Sequence, residues 1–311
     1  MNLIYSVNKV IDFLEMFMLK KKKKKIFIIL LFLLPSMFGF IFFQLIPIST
    51  SLYLSLTDWD VISGDPNFVG FENYSSIFGG EEFWRVLKNT LYYIVLYIPL
   101  IILASVGVAA LLNHNYKGMT FFKAFFYIPV LTSWVAGALV WRWLLSPYFG
   151  PVNQIIGFFG IEGPAWLYDS VWAMPGIVLA SIWKDAGFFG LICLAGLKGI
   201  NPVYYEVAEI DGASKFKKFT KITMPLLSPT IFFIMIMSII NSFQLFPQVM
   251  IMTDGGPHGS TEVIVERIYN YAFSYYKMGY AAAYSWVLFL FIFIVTIIQF
   301  ALQKRWVNYD S

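Results

Sequence analysis

The 311-residue chain is poor in charge and nearly free of cysteine. Asp, Glu, Lys and Arg make up 13% of it, about half the ~25% of an ordinary soluble domain. A water-facing surface on a fold of this size needs more charge, which excludes a free soluble enzyme. The single cysteine, Cys193, excludes an intrachain disulfide and hence a secreted disulfide scaffold. It lies in an apolar stretch and reads as inert helix packing. The two histidines, His114 and His258, fall on opposite sides of the spans described below, and no metal-ligand spacing appears. There is no phosphate-binding G-x-x-x-x-G-K-[ST] loop and no nucleophile–base constellation. The chain is expected to bind no cofactor and to be no enzyme. Any ATP and Mg would be handled by another polypeptide.

What is present in excess is apolar and aromatic. Hydrophobic residues are 59% and aromatics 20%, with 32 Phe, 19 Tyr and 10 Trp. This excludes disorder and points to an integral membrane protein. Six runs are long enough to span a bilayer: 26–56, 86–112, 121–145, 171–197, 225–252 and 279–303. The expected fold class is therefore all-α, with six transmembrane helices. Pro35, Pro47, Pro99, Pro129 and Pro175 lie inside these runs and mark kinks.

Six spans put both termini on one side. Sixteen of the 22 Lys and Arg fall on that side and four on the other, so the termini are expected in the cytoplasm. The run Lys20 to Lys25 reads as an anchor at the anionic inner leaflet. The formal charge of +4 implies no nucleic-acid partner in this setting. The apolar run that follows is longer than the roughly 7–15 residues of a signal-peptide core, and no A-x-A site follows it. Ile4, Val7, Ile11, Leu14 and Met18 recur at helical spacing, which fits either an amphipathic helix on the inner surface or a frayed tail. The expected organisation is a basic segment 1–25, a first span with its outer loop 26–84, a membrane core 85–303 and a tail 304–311.

The most informative segment is the polar loop 198–224 between the fourth and fifth spans. Asn201-Pro202 starts a helix, Gly212 interrupts it, and Phe216, Phe219 and Ile222 resume helical spacing. The reading is two short helices with a bend, parallel to the membrane, available to a soluble partner.

Glu206, Ala208, Gly212, Ile222 and Pro225 reproduce the E-x-A, Gly, Ile-x-x-Pro loop signature of ATP-binding-cassette importer permeases. Asp211 and Ala213 match the form common among sugar permeases. Val207 and Met224 depart from it mildly and remove neither a charge nor the bend. Elsewhere the chain resembles the MalF-like group of binding-protein-dependent sugar permeases, from about residue 26 to the C-terminus. The matching stretches are Phe68-Val-Gly-Phe-Glu-Asn-Tyr74, Asn89-Thr90, Leu112-Asn113 with Gly118, Phe125-Phe-Tyr-Ile-Pro129, Trp141-Arg-Trp-Leu-Leu-Ser-Pro147 and Gly255-Gly-Pro257.

The resemblance implies the type I importer (MetI-like) permease fold in a prokaryotic plasma membrane. It implies a second permease subunit as heterodimer partner, two cytoplasmic ATPase subunits that use ATP and Mg, an extracytoplasmic solute-binding protein and a sugar substrate. Glu206 would pair with a basic ATPase residue, Ala208 would allow close contact, and Gly212 would permit the turn.

Polar residues at bilayer depth are costly and face an interior. Ser181, Lys184 and Asp185 share a side of the fourth span, and Ser238, Asn241, Ser242 and Gln244 form a second patch on the fifth. Ser133 and Trp134 lie at mid-depth on the third. The resemblance implies that solute passes along these helices. Lys184 and Asp185 either contact solute or serve as packing, Lys184 then pairing with an acidic group of the partner permease and Asp185 with a nearby group. Arg142, between two tryptophans, reads as an interfacial anchor. Two rival readings stand beside the sugar permease. One is an importer permease for a different solute. The other is a stand-alone secondary carrier, which would show repeated halves or a broken-helix pair but leaves the loop signature unexplained.

Overall fold

The computed structural model describes residue 25 and residues 28–62, 64–114 and 116–308. The expected amphipathic segment on residues 4–18, and all of the lysine run except Lys25, lie outside them. Among the described residues the regular structure is helical, apart from one isolated antiparallel bridge between Thr57 and Phe68. Two units are distinguished, one up to Leu54 and one from Ser55 onward.

The first unit contains α1 (Ile28–Leu54), with a π-helical turn at Ile41–Leu45. None of its side chains is buried, as suits a helix whose solvent is lipid.

In the second unit, α2 (Glu72–Gly79) leads into α3 (Glu81–Leu112), whose first turn holds Glu81 and Glu82 where the helix dipole favours anions. Val86, Thr90, Tyr93, Tyr97, Ile101, Ser105, Val108 and Leu112 are buried at steps of three and four residues, one continuous face. Next come α4 (Met119–Leu131) and α5 (Trp134–Leu144), and then α6 (Pro151–Phe158) in the outer connection. The central helix α7 (Ala173–Gly199) packs its buried face against α3. The short α8 (Val203–Ile210) is followed by α9 (Lys215–Phe243), α10 (Pro247–Met252), α11 (Ile264–Tyr269) and α12 (Met278–Gln303). Cys193 is buried in the core formed by α3, α7 and α9, with Ile101, Val108, Phe189 and Leu227.

Two expectations about the spans are corrected. The run 121–145 is two helices, α4 and α5, bent by 98° at a two-residue break, so among the described residues five helices are each long and apolar enough to cross a membrane, and six if the bent pair is one span. The fifth span begins at Lys215, ten residues earlier than expected, and ends at Phe243. The second short helix of the 198–224 loop is thus the foot of α9. It grows into the span through a π-helical turn at Phe219–Thr223 instead of lying as a separate element.

A polar clamp ties the start of α3 to the segment 259–271. Arg85 Nη2 donates to Glu262 Oε2 at 2.7 Å, and Asn89 Nδ2 donates to the carbonyls of Gly259 (2.8 Å) and Glu262 (3.1 Å). Arg267 pairs with Glu82, which also accepts from the Tyr271 hydroxyl at 2.5 Å. Behind them Glu266, 3% exposed, accepts from Asn270. Burial pushes its carboxyl up to about 7. Arg267 opposes this rise, Glu262 and Asp254 add to it, and the Asn270 bond opposes it. Between the ordinary 4.5 and about 7 the folded chain therefore holds a proton that the unfolded chain has released. The stability from this group is complete below 4.5 and is lost as pH rises through 7. Thermal unfolding of the purified protein, followed by tryptophan fluorescence from pH 5 to pH 8, should show a fall in midpoint that Glu266→Gln flattens. Equal slopes for the two proteins would remove Glu266 from the account.

Candidate functional site

Five helices converge on a polar cavity of about 280 Å³. α3 contributes Tyr93 and Tyr97, α5 contributes Trp134, α7 contributes Asp185, α9 contributes Asn241 and Ser242, and Gln244 with Pro247 and Gln248 closes the turn into α10. Tyr93 and Tyr97, four residues apart on one helical face, stack at 5.2 Å. The Tyr97 hydroxyl donates to Asp185 Oδ2 at 2.7 Å. Gln248, 6% exposed, leaves its Oε1 without a partner among the described residues. The wall thus offers carboxylate, amide and hydroxyl groups beside an indole face, a set suited to a polyhydroxylated ring (hydrogen bonds at its edge, stacking on its apolar face).

Of the expected pathway residues, Trp134, Asp185, Asn241, Ser242 and Gln244 line this cavity together. Ser181 and Ser238 are fully buried and are not in its lining: Ser181 Oγ donates to the Ile177 carbonyl at 2.9 Å, and Ser238 lends its carbonyl to Ser242 Oγ at 2.6 Å. Lys184 and Asp185 go to different neighbours. The Lys184 ammonium donates to the carbonyls of Pro129 (3.1 Å), Val130 (3.2 Å) and Thr132 (2.6 Å) at the α4–α5 break, and lies 5.4 Å over the Trp134 ring. Arg142 reaches the Ile251 carbonyl at 3.4 Å. Tyr93, Tyr97 and Gln248 were not anticipated. The i, i+4 spacing of the tyrosines was visible in the sequence, but not what they face.

On the opposite side of the chain's polar map, α8 ends in a turn that accounts for several signature residues. Gly212 takes φ +71°, its N–H donates to the Glu209 carbonyl at 3.0 Å, and the Ala213 N–H donates to the Ala208 carbonyl at 2.8 Å. This is the left-handed Schellman cap, which suits glycine because a Cβ is strained there. Asp211 is the C-cap residue, and Ser214 Oγ then caps the next helix at the Lys217 N–H, 3.3 Å away. Two cross-links brace α8 on the foot of α9: Lys218 with Glu209 at 2.6 Å, which holds the Glu209 carboxyl below the usual range, and Tyr205 Oη with Thr223 Oγ1 at 3.0 Å. Glu206 and Asp211 remain exposed, among exposed Val203, Tyr204, Val207 and Ile210. Ile222 and Pro225 are half-buried in the foot of α9, where the Pro225 carbonyl accepts from Ser228 Oγ at 2.6 Å.

Residues 74–308 match the family described as the binding-protein-dependent transport system inner membrane component. The chain belongs to that family. Among its relatives is a probable ABC transporter permease protein, YesP of Bacillus subtilis (strain 168), 35% identical over 90% of this chain and 91% of that one. Another is the sulfoquinovosyl glycerol transport system permease protein SmoG of Agrobacterium fabrum (strain C58 / ATCC 33970), 33% identical over 80% of this chain and 82% of that one. The crystal structure of a bacterial ABC transporter involved in the import of the acidic polysaccharide alginate contains a chain 25% identical to this one, with a TM-score of 0.78, covering 93% of this chain and 99% of that one. The permease fold expected from the loop signature is therefore present. The chain is a membrane transport subunit.

The cap at Gly212 generates a prediction. Gly212→Ala should strain the left-handed turn by about 1 kcal/mol and quicken amide exchange of segment 203–214 about fivefold, read by hydrogen–deuterium exchange mass spectrometry. Unchanged exchange would show that the turn does not depend on glycine.

Proposed function

We propose that the chain is one of two permease subunits of an ATP-driven, binding-protein-dependent importer for a sugar or oligosaccharide. It would sit in a prokaryotic plasma membrane with both termini in the cytoplasm. Two cytoplasmic ATPase subunits supply the ATP and Mg chemistry, and an extracytoplasmic binding protein delivers the solute. The observation that carries the reading is α8: a braced short helix that leaves Glu206 and an apolar row exposed, inside the signature of the family. An amphipathic knob of this kind suits a cleft in a soluble partner, with Glu206 meeting a basic residue. The names of the SmoG relative and of the alginate importer favour a saccharide, and so does the cavity's mixture of amides, carboxylate and indole.

The bent α4–α5 pair is the one feature the stand-alone carrier reading would claim. Dependence on the ATPase separates the two readings. In cells expressing the complete system, Glu206→Lys should abolish solute uptake while the complex stays in the membrane. Uptake that persists in this variant, or without any ATPase subunit, would overturn the coupling role of α8. A purified complex whose ATPase activity responds to no saccharide, with its binding protein present, would leave the importer and remove the sugar.

A further inference from the structure

Lys184 lies in the middle of α7, 7% exposed, yet it does not line the cavity. Its surroundings are explained by the break between α4 and α5. In an uninterrupted helix the N–H groups of Ser133, Trp134, Val135 and Ala136 would bond the carbonyls of Pro129, Val130, Leu131 and Thr132. The 98° bend forfeits these bonds in a region where water cannot replace them. The Lys184 ammonium takes three of these four acceptors: those of Val130 and Thr132, and that of Pro129, which also accepts from the Thr132 N–H at 3.2 Å and Thr132 Oγ1 at 2.6 Å. The donor that would have met Thr132, the Ala136 N–H, is taken by Ser133 Oγ at 3.2 Å. The ammonium also sits at the negative, C-terminal end of α4. Its reach depends on Gly187, one turn further along α7, where an added Cβ would stand 1.9 Å from the Phe126 carbonyl oxygen of α4.

We infer that Lys184 is a positioning residue that holds the α4–α5 break in its bent form, and that this break is a two-state element of the transport pathway. Straightening would return the three carbonyls to the N–H groups of the next turn and strand a buried ammonium. The bent form keeps both satisfied. The element borders the cavity from two sides. Trp134, the first residue of α5, is in its wall and beneath the ammonium, and Asp185, the next residue after the pin, is in its wall from α7. A solute engaging these two groups acts directly on the residues flanking the pin. The inference rests on the proposed reading of the cavity as part of the pathway, but the bend itself can be measured without transport.

The test uses the assembled complex in lipid nanodiscs, with cysteine-free partner subunits and Cys193→Ala. Nitroxides are placed through Phe122→Cys on α4 and Val140→Cys on α5, both exposed positions. With Lys184 present, the inter-label distance should be narrowly distributed. Lys184→Met should broaden it toward longer distances, Lys184→Gln, with one amide for three carbonyls, should give an intermediate width, and Lys184→Arg should restore the narrow form. Solute uptake should fall about tenfold in Lys184→Met, matching the loss of a charged hydrogen-bond set, while the order of preference among solutes is unchanged. A distribution in Lys184→Met or Lys184→Gln identical to that of the parent would overturn the inference. So would a reordered solute preference with the bend unmoved, which would make Lys184 a solute contact. Failure on every saccharide with the expected distance changes would instead count against the sugar reading and leave the pin standing.

Discussion

A backbone carbonyl at bilayer depth has no water to turn to, and this chain's architecture follows from how each break in its helices meets that requirement. Where the helices run on, the ladder suffices, and serines or threonines bond back to the preceding turn, as Ser105 and Thr90 do on α3. Where the chain bends sharply between Leu131 and Trp134, a side chain must stand in for the ladder. Lysine is well suited to it. One ammonium offers three donors, and three carbonyls accept them. The cavity depends on this substitution, because the bend is what turns Trp134 into its wall.

The substitution in turn demands close approach. α7 is the helix on which the core is assembled, and three of its glycines face backbone or side chains on three neighbours: Gly187 against α4, Gly190 against Val108 of α3, and Gly196 against Thr230 and Leu227 of α9. Small residues at such contacts let helices pack by dispersion where lipid offers no hydrophobic drive. Hence α7 combines a polar segment, Ser181 to Asp185, with a bare one, and the bare one brings the polar one within hydrogen-bonding distance of its partners.

Much of this was legible from residue order, and the rest was hidden for physical reasons. The fourth and sixth spans were long, predominantly apolar runs, and they appear as α7 and α12 within two residues of the expected limits. The Gly212 turn was legible because its determinants are local: a helix, a glycine, a capping serine. The third span misled because Phe121 to Leu145 is mostly apolar and long enough for one helix: Pro129 marks a kink but not a 98° break, and Ser133 as a helix cap is easily missed inside such a run. Its pin lies 52 residues away on another helix. Pairing at that distance leaves no periodic trace. The same limit separated Lys184 from Asp185. Adjacent residues on a helix diverge by about 100°, enough to send one to α4 and the other to Tyr97.

The geometry also bears on how a movement outside the membrane could reach the cavity. α8 is braced to the foot of α9 through the Glu209–Lys218 pair and the Tyr205–Thr223 bond, and α9 is one helix of 29 residues, about 43 Å long. Its far end presents Asn241 and Ser242 to the cavity. On the proposed reading, a partner gripping α8 therefore moves a cavity wall through a single helix, without relaying through loops. The weak point along that rod is the π-helical turn at Phe219–Thr223, directly under the brace, where the wider turn tolerates bending better than an α-turn does. Thr223 belongs both to that turn and to the bond with Tyr205, so the brace sits where bending would otherwise dissipate the movement. The exposed Glu209–Lys218 pair is weak alone. The half-buried hydroxyl pair sets the angle between knob and rod, and the ion pair limits its play.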